Sequence, residues 1–113
     1  MRLRNSIAAA VGALALVLTL PTSAQAAGGR FTYITHDAGY AQERALVDPP
    51  SGECINLKGA EDPNGPPADS PRNDTDATAT VFTGTDCDGD YYSLRPFGGR
   101  ASDKLKLRSV VFS

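Results

Sequence analysis

The chain has no tryptophan, one histidine and two cysteines in 113 residues, with four tyrosines and four phenylalanines as its only aromatic side chains. Each scarcity excludes something. His36, Cys54 and Cys87 are too few soft or imidazole ligands for a four-coordinate zinc site. So few aromatics make a poor stacking surface for a sugar-cleaving cleft. No G-x-S-x-G elbow, or anything like it, presents a nucleophilic serine. Positive charge is not in excess either, with 11 Lys and Arg against 13 Asp and Glu. The basic residues are scattered, so nucleic acid and anionic membranes are not expected partners. Beyond the first 26 residues no apolar run is long enough to span a bilayer.

What is present at the start reads as an export signal. Arg2 and Arg4 are a positive head, Ile7 to Leu20 an apolar run, Pro21 a helix stop, and Ala24-Gln25-Ala26 a small-residue cleavage site. The run is shorter than the roughly 18–20 residues that span a membrane, which favours a cleaved leader over an anchor. Cleavage is expected between Ala26 and Ala27, leaving residues 27–113 as a single secreted domain. The 113 residues less the leader are 87, carrying nine basic and thirteen acidic side chains, a net charge of −4. Export carries Cys54 and Cys87 to an oxidising compartment, where two thiols form one disulfide. That bridge closes a loop of about 34 residues, which the chain-entropy model values at roughly 3–4 kcal/mol.

The mature chain reads as β. Phe31 to Thr35 is aromatic and β-branched and ends in a turn over His36-Asp37-Ala38-Gly39. Tyr40 to Val47 is expected as a second strand, with a helical turn as its competitor. Cys54 to Leu57 is a third, with Cys54 and Asn56 facing one way and Ile55 and Leu57 the other. Gly59 to Pro71 holds four prolines and two glycines and is expected as an irregular surface loop, either a contact surface or a mobile spacer. Ala77 to Thr83 and Tyr91 to Leu94 flank a turn over Thr85 to Asp90, and Pro96 to Gly99 turns again. Leu105 to Phe112 closes the chain as a strand, with Leu105 and Leu107 on one face and Lys106 and Arg108 on the other. Six short strands with Gly/Pro turns predict a small all-β sandwich or barrel.

Three constellations touch on chemistry. Asp86, Asp88 and Asp90 alternate like the opening of an EF-hand loop, but Tyr91 and Phe97 occupy the places of its glycine and bidentate glutamate. His36-Asp37 invites a serine triad for which no nucleophile motif exists. Asn73-Asp74-Thr75 matches the glycosylation sequon, read as coincidental.

Phe82 to Gly89, then Tyr91 to Leu94, then the strand Arg108 to Phe112 led by Ser109 together resemble a βγ-crystallin Greek-key motif. In that motif an aromatic, four residues, a second aromatic, any residue and a glycine precede a serine-led strand; Cys87 stands at the second aromatic. The resemblance covers about Thr78 to Ser113. It is similar to small exported actinomycete proteins of this type, among them a metalloproteinase inhibitor and a killer-toxin-like protein. It implies a Greek-key β-sandwich. The calcium signature of the family is damaged here. Asn73-Asp74-Thr75-Asp76-Ala77-Thr78 lacks the hydroxyl at Ala77, and Lys104-Leu105 stands at the matching second place. Weak calcium binding is the most it implies, with Asn73, Asp74 and Asp76, and the acidic turn Asp86, Asp88 and Asp90, as candidates.

The functional expectation is a monomeric, non-enzymatic extracellular domain that needs no cofactor and binds another protein such as a proteinase, as an inhibitor or effector. The alternatives are a structural or stress-related exported protein without a specific ligand, and a small secreted hydrolase.

Overall fold

A computed structural model describes residues 26–113. The expected export signal, up to Gln25, therefore lies outside the described residues. Eight strands form two antiparallel four-stranded sheets closed by one disulfide. They are β1 Gly29–Asp37, β2 Tyr40–Val47, β3 Ile55–Asn56, β4 Asp69–Thr75, β5 Ala79–Phe82, β6 Tyr91–Leu94, β7 Gly99–Arg100 and β8 Ser109–Phe112. One sheet runs β2-β1-β4-β7 and the other β3-β8-β5-β6. In each half of the chain the first two strands are a hairpin, the fourth pairs with the first, and the third crosses to the opposite sheet. Among the described residues no helix is long and apolar enough to cross a membrane.

The core follows from period-2 alternation. β1 turns Phe31, Tyr33 and Thr35 inward, β5 turns Ala79 and Val81, and β8 supplies Val110 and Phe112. Phe31 of one sheet meets Phe112 of the other edge-to-face at 5.5 Å, which joins the layers. Burying each of Phe31, Val81, Val110 and Phe112 contributes about 1.5–3 kcal/mol of apolar transfer. Leu57 and Leu107 close the core at its margin, both fully buried. The β1–β2 hairpin turns through Ala38 and Gly39 alone, at φ 51° and 85°. This is the two-residue geometry whose twist suits adjoining strands.

β2 lies where the sequence places it. β4 does not: Asp69–Thr75, whose first three residues fall inside the expected loop, is a central strand between β1 and β7. It has almost no β-forming residues, and it holds because its inward side chains find partners. The pairing with β1 slips between Thr32 and Ile34, so two residues of β4, Ser70 and Pro71, oppose Tyr33 alone. That bulge accommodates Pro71, which has no N–H for the ladder. Ser70 takes φ 53° to make it. The short β7 lies in the expected Pro96–Gly99 turn and just beyond it. Leu105 to Arg108 is not strand, apart from a lone bridge between Leu107 and Ala68, because no neighbour runs beside Leu105 and Lys106.

The two cysteines form the expected bond, with Cα atoms 5.9 Å apart. It ties the residue before β3 to a 3-10 turn, Thr85–Cys87, at the tip of the β5–β6 hairpin.

Candidate functional site

The irregular segment after β3 is an organised loop, Gly59 to Pro67, and the side chain that organises it is Arg108. Its Nη1 donates to the carbonyls of Ala60 at 3.1 Å and Asp62 at 2.7 Å. Its Nη2 donates to Pro63 at 3.4 Å and Gly65 at 2.7 Å. A proline-rich loop has carbonyls in excess of N–H groups, and a guanidinium offers several donors in one plane, so the match is chemical. The chain closes further on itself. Gly59 N–H donates to Glu61 Oε1, Asn64 N–H to Asp62 Oδ1 and Gly65 N–H to the Asp62 carbonyl. Gly59 sits at φ 94°, and a Cβ there would come within 2.9 Å of Arg44 Nε and Thr35 Cγ2, so only glycine lets the loop start against β1 and β2. Ala60 is buried, while Glu61, Asp62, Pro63, Asn64 and Pro66 face solvent. The sequence pattern puts Arg108 on one face with Lys106; Lys106 is exposed, whereas Arg108 is half-buried under this loop.

The descending limb of the loop forms the wall of a groove of about 480 Å³. Ile34, Pro66 and Pro67 give it an apolar side, and His36, Asp103 and Lys106 ring its mouth. Asp69 lies at its base, only 3 % exposed. His36 Nε2 is 2.6 Å from Asp69 Oδ2, Ser70 Oγ donates to Oδ1 at 2.8 Å, and Lys106 Nζ stands 3.6 Å from Oδ2. Burial pushes the Asp69 carboxyl up, but the Ser70 and His36 hydrogen bonds with the His36 and Lys106 charges outweigh it, holding the pKa below the ordinary value. Asp69 is therefore a carboxylate above mildly acidic pH.

His36 is thus brought to Asp69, not used with its neighbour Asp37, and a serine stands beside the pair. The order is wrong for nucleophilic catalysis. A triad needs the imidazole between hydroxyl and carboxylate; here hydroxyl and imidazole bind separate oxygens of one carboxylate. The arrangement holds a bulged strand and shapes a groove.

The calcium candidates are spread over two places. The Asn73 carboxamide is buried and donates to the carbonyls of Ala77, Leu94 and Arg95 while accepting from the Thr75 N–H and hydroxyl. Asp74 pairs with Arg72 at 2.7 Å, and Asp76 Oδ1 accepts from Gly28 N–H. Asp86 exchanges two hydrogen bonds with Asn56, while Asp88 and Asp90 are exposed on the β5–β6 turn. Among the described residues no three His, Cys, Asp or Glu side chains gather as metal ligands. At the expected cleavage point, Ala26 bridges Pro50, and the buried Ala27 donates its N–H to the Pro49 carbonyl at 2.7 Å.

Asp69, Ser70, Lys106 and Arg108 were not legible as a site. The only local hint was composition, since a loop with so many prolines needs donors from elsewhere. Compared with known families, curated proteins and solved structures, the chain matches no family model, no curated protein and no solved structure.

Proposed function

We propose that the protein is an exported, non-catalytic binding domain that engages another extracellular protein, of the proteinase-inhibitor or effector kind, through the loop Glu61 to Pro67 and the groove beside it. The observation that carries this is the Arg108 clamp. A guanidinium bonded to four loop carbonyls holds an exposed segment in one shape before any partner arrives, which lowers the entropy lost on binding. The reading includes a Greek-key arrangement of each chain half. The strand order supports that, since the fourth strand returns beside the first in both.

The test is capture from culture supernatant with the chain starting at Ala27. A variant with Glu61–Pro66 replaced by glycine and serine keeps Ala68 to Pro71, which are buried or part of β4. The reading expects one partner retained by the parent and lost by the variant. Equal capture by both moves the contact elsewhere, and an empty eluate from the parent favours an exported protein without a specific ligand.

A further inference from the structure

A second groove, of about 370 Å³, lies where the last strand of each sheet ends the sandwich, β6 in one and β7 in the other. It is lined by Ser93, Leu94, Arg95, Gly98, Gly99 and Arg100, none of which belongs to the groove at Asp69. Two features set it apart.

The first is a strand edge with free backbone groups. Thr83 N–H bonds the Asp90 carbonyl, and the alternation of an antiparallel ladder then turns Tyr92 and Leu94 toward β5. The N–H and C=O of Tyr91 and Ser93 consequently face the open side of β6. An edge of this kind is a template for another strand.

The second is charge. In a mature chain of net charge −4, Arg95 and Arg100 are exposed, and among the described residues neither forms an ion pair. Arg95 is also oriented, because its Nη1 donates to the carbonyls of Phe97 at 3.2 Å and Pro96 at 3.5 Å. Among the described residues its other donors have no partner, which leaves them for a ligand. Gly99 permits this arrangement, since a Cβ there would stand 2.5 Å from the Arg95 backbone N and O. Tyr91 and Tyr92, 66 % and 49 % exposed, extend the surface along β6, and tyrosine and arginine are side chains that dominate binding energy at interfaces.

We propose that the β6 edge takes an extended acidic segment of another protein as an added strand, its carboxylates seated on Arg95 and Arg100. Backbone pairing to Tyr91 and Ser93 would supply affinity, and the guanidinium pair would select sign and register. This surface is independent of the Arg108-clamped loop.

The probe is a fluorescein-labelled decapeptide of alternating valine and glutamate, with the valine–lysine decapeptide as its control, read by anisotropy. Saturable binding of the glutamate peptide is expected, weakened by salt and at least about tenfold tighter than the lysine peptide. R95Q/R100Q, at two exposed positions, should lose that preference while melting like the parent. Ser93→Pro removes an edge N–H that is not in the β5 ladder, so it should abolish binding and leave β5–β6 paired. Equal binding of both peptides, or undiminished binding by R95Q/R100Q, overturns the proposal. Full binding by Ser93→Pro, or complete displacement by millimolar inorganic phosphate, overturns strand addition and leaves a small-anion groove.

Discussion

The two halves of the chain share a strand plan and differ in how they close it. In the first half β1 and β2 are nine and eight residues long and turn in two. In the second, β5 and β6 are four residues each, and the connection from Thr83 to Asp90 folds over. Both halves bury a polar side chain at the start of the fourth strand and tie it toward the first hairpin. In the first half that residue is Asp69, opposite Ile34 and bonded to His36. In the second it is Ser109, opposite Phe82, which donates to the Gly84 carbonyl and accepts from Cys87 N–H. A neutral hydroxyl holds the second half, whose hairpin tip a reciprocal Asn56–Asp86 pair and the disulfide tie to β3, the crossing strand of the first half. A charged cluster holds the first, and the groove at Asp69 opens beside it. The difference teaches that one topological position can be filled by a permanent tie or by a titratable one.

Breaking the covalent side of the comparison should have the largest effect. Replacing both Cys54 and Cys87 with serine is expected to cost about 3–4 kcal/mol in urea unfolding, on the chain-entropy estimate. A loss below about 1 kcal/mol would show that Ser109 and Asn56 hold the folded hairpin unaided. Next comes Ser109→Ala, which leaves the part-buried Gly84 carbonyl and Cys87 N–H without their partner. About 1–3 kcal/mol is expected from the same measurement, with no dependence on pH.

Asp69 sharpens the contrast through its titration. Its folded pKa lies below its ordinary value, so the stability it contributes is present above the unfolded value and lost as pH falls through the folded one. Thermal melts from pH 6 to pH 2 should fall more steeply for the parent than for Asp69→Asn, the difference opening below about pH 4. Parallel curves would mean that the His36 and Lys106 contacts do not favour the carboxylate. The smallest global effect is expected for Arg108→Gln, under about 1 kcal/mol, since the loop it holds adds little to the core. Its local effect should be plain: proteolysis within Glu61 to Pro66 and hydrogen exchange at Gly65 should both rise. An unchanged cleavage rate would show that the prolines alone order the loop.

Much of this was legible from residues in order. The strand over Tyr40–Val47, the Ala38-Gly39 part of the expected turn and the disulfide follow from strand patterning, turn chemistry and a pair of cysteines, whereas His36 and Asp37, expected in that turn, end β1. β4 was hidden because Asp-Ser-Pro-Arg-Asn-Asp-Thr has the composition of a loop. Its strand form depends on Asn73 bonding carbonyls of Leu94 and Arg95, and on a bulge opposite Tyr33. The site was half visible: His36 and the proline segment stood out, whereas Lys106 and Arg108 read as a solvent face.

By itself, then, the sequence determined what local chemistry can: β structure, the places where the chain must turn, one possible covalent bond and an acidic surface. Which polar groups meet was decided only in three dimensions. His36 and Asp69 lie 33 residues apart, and Arg108 reaches carbonyls 43 to 48 residues earlier. The physical reason is that a buried carboxylate or a row of loop carbonyls accepts any donor the fold can bring within reach. Propensity and spacing carry no record of that donor until the sheets are paired.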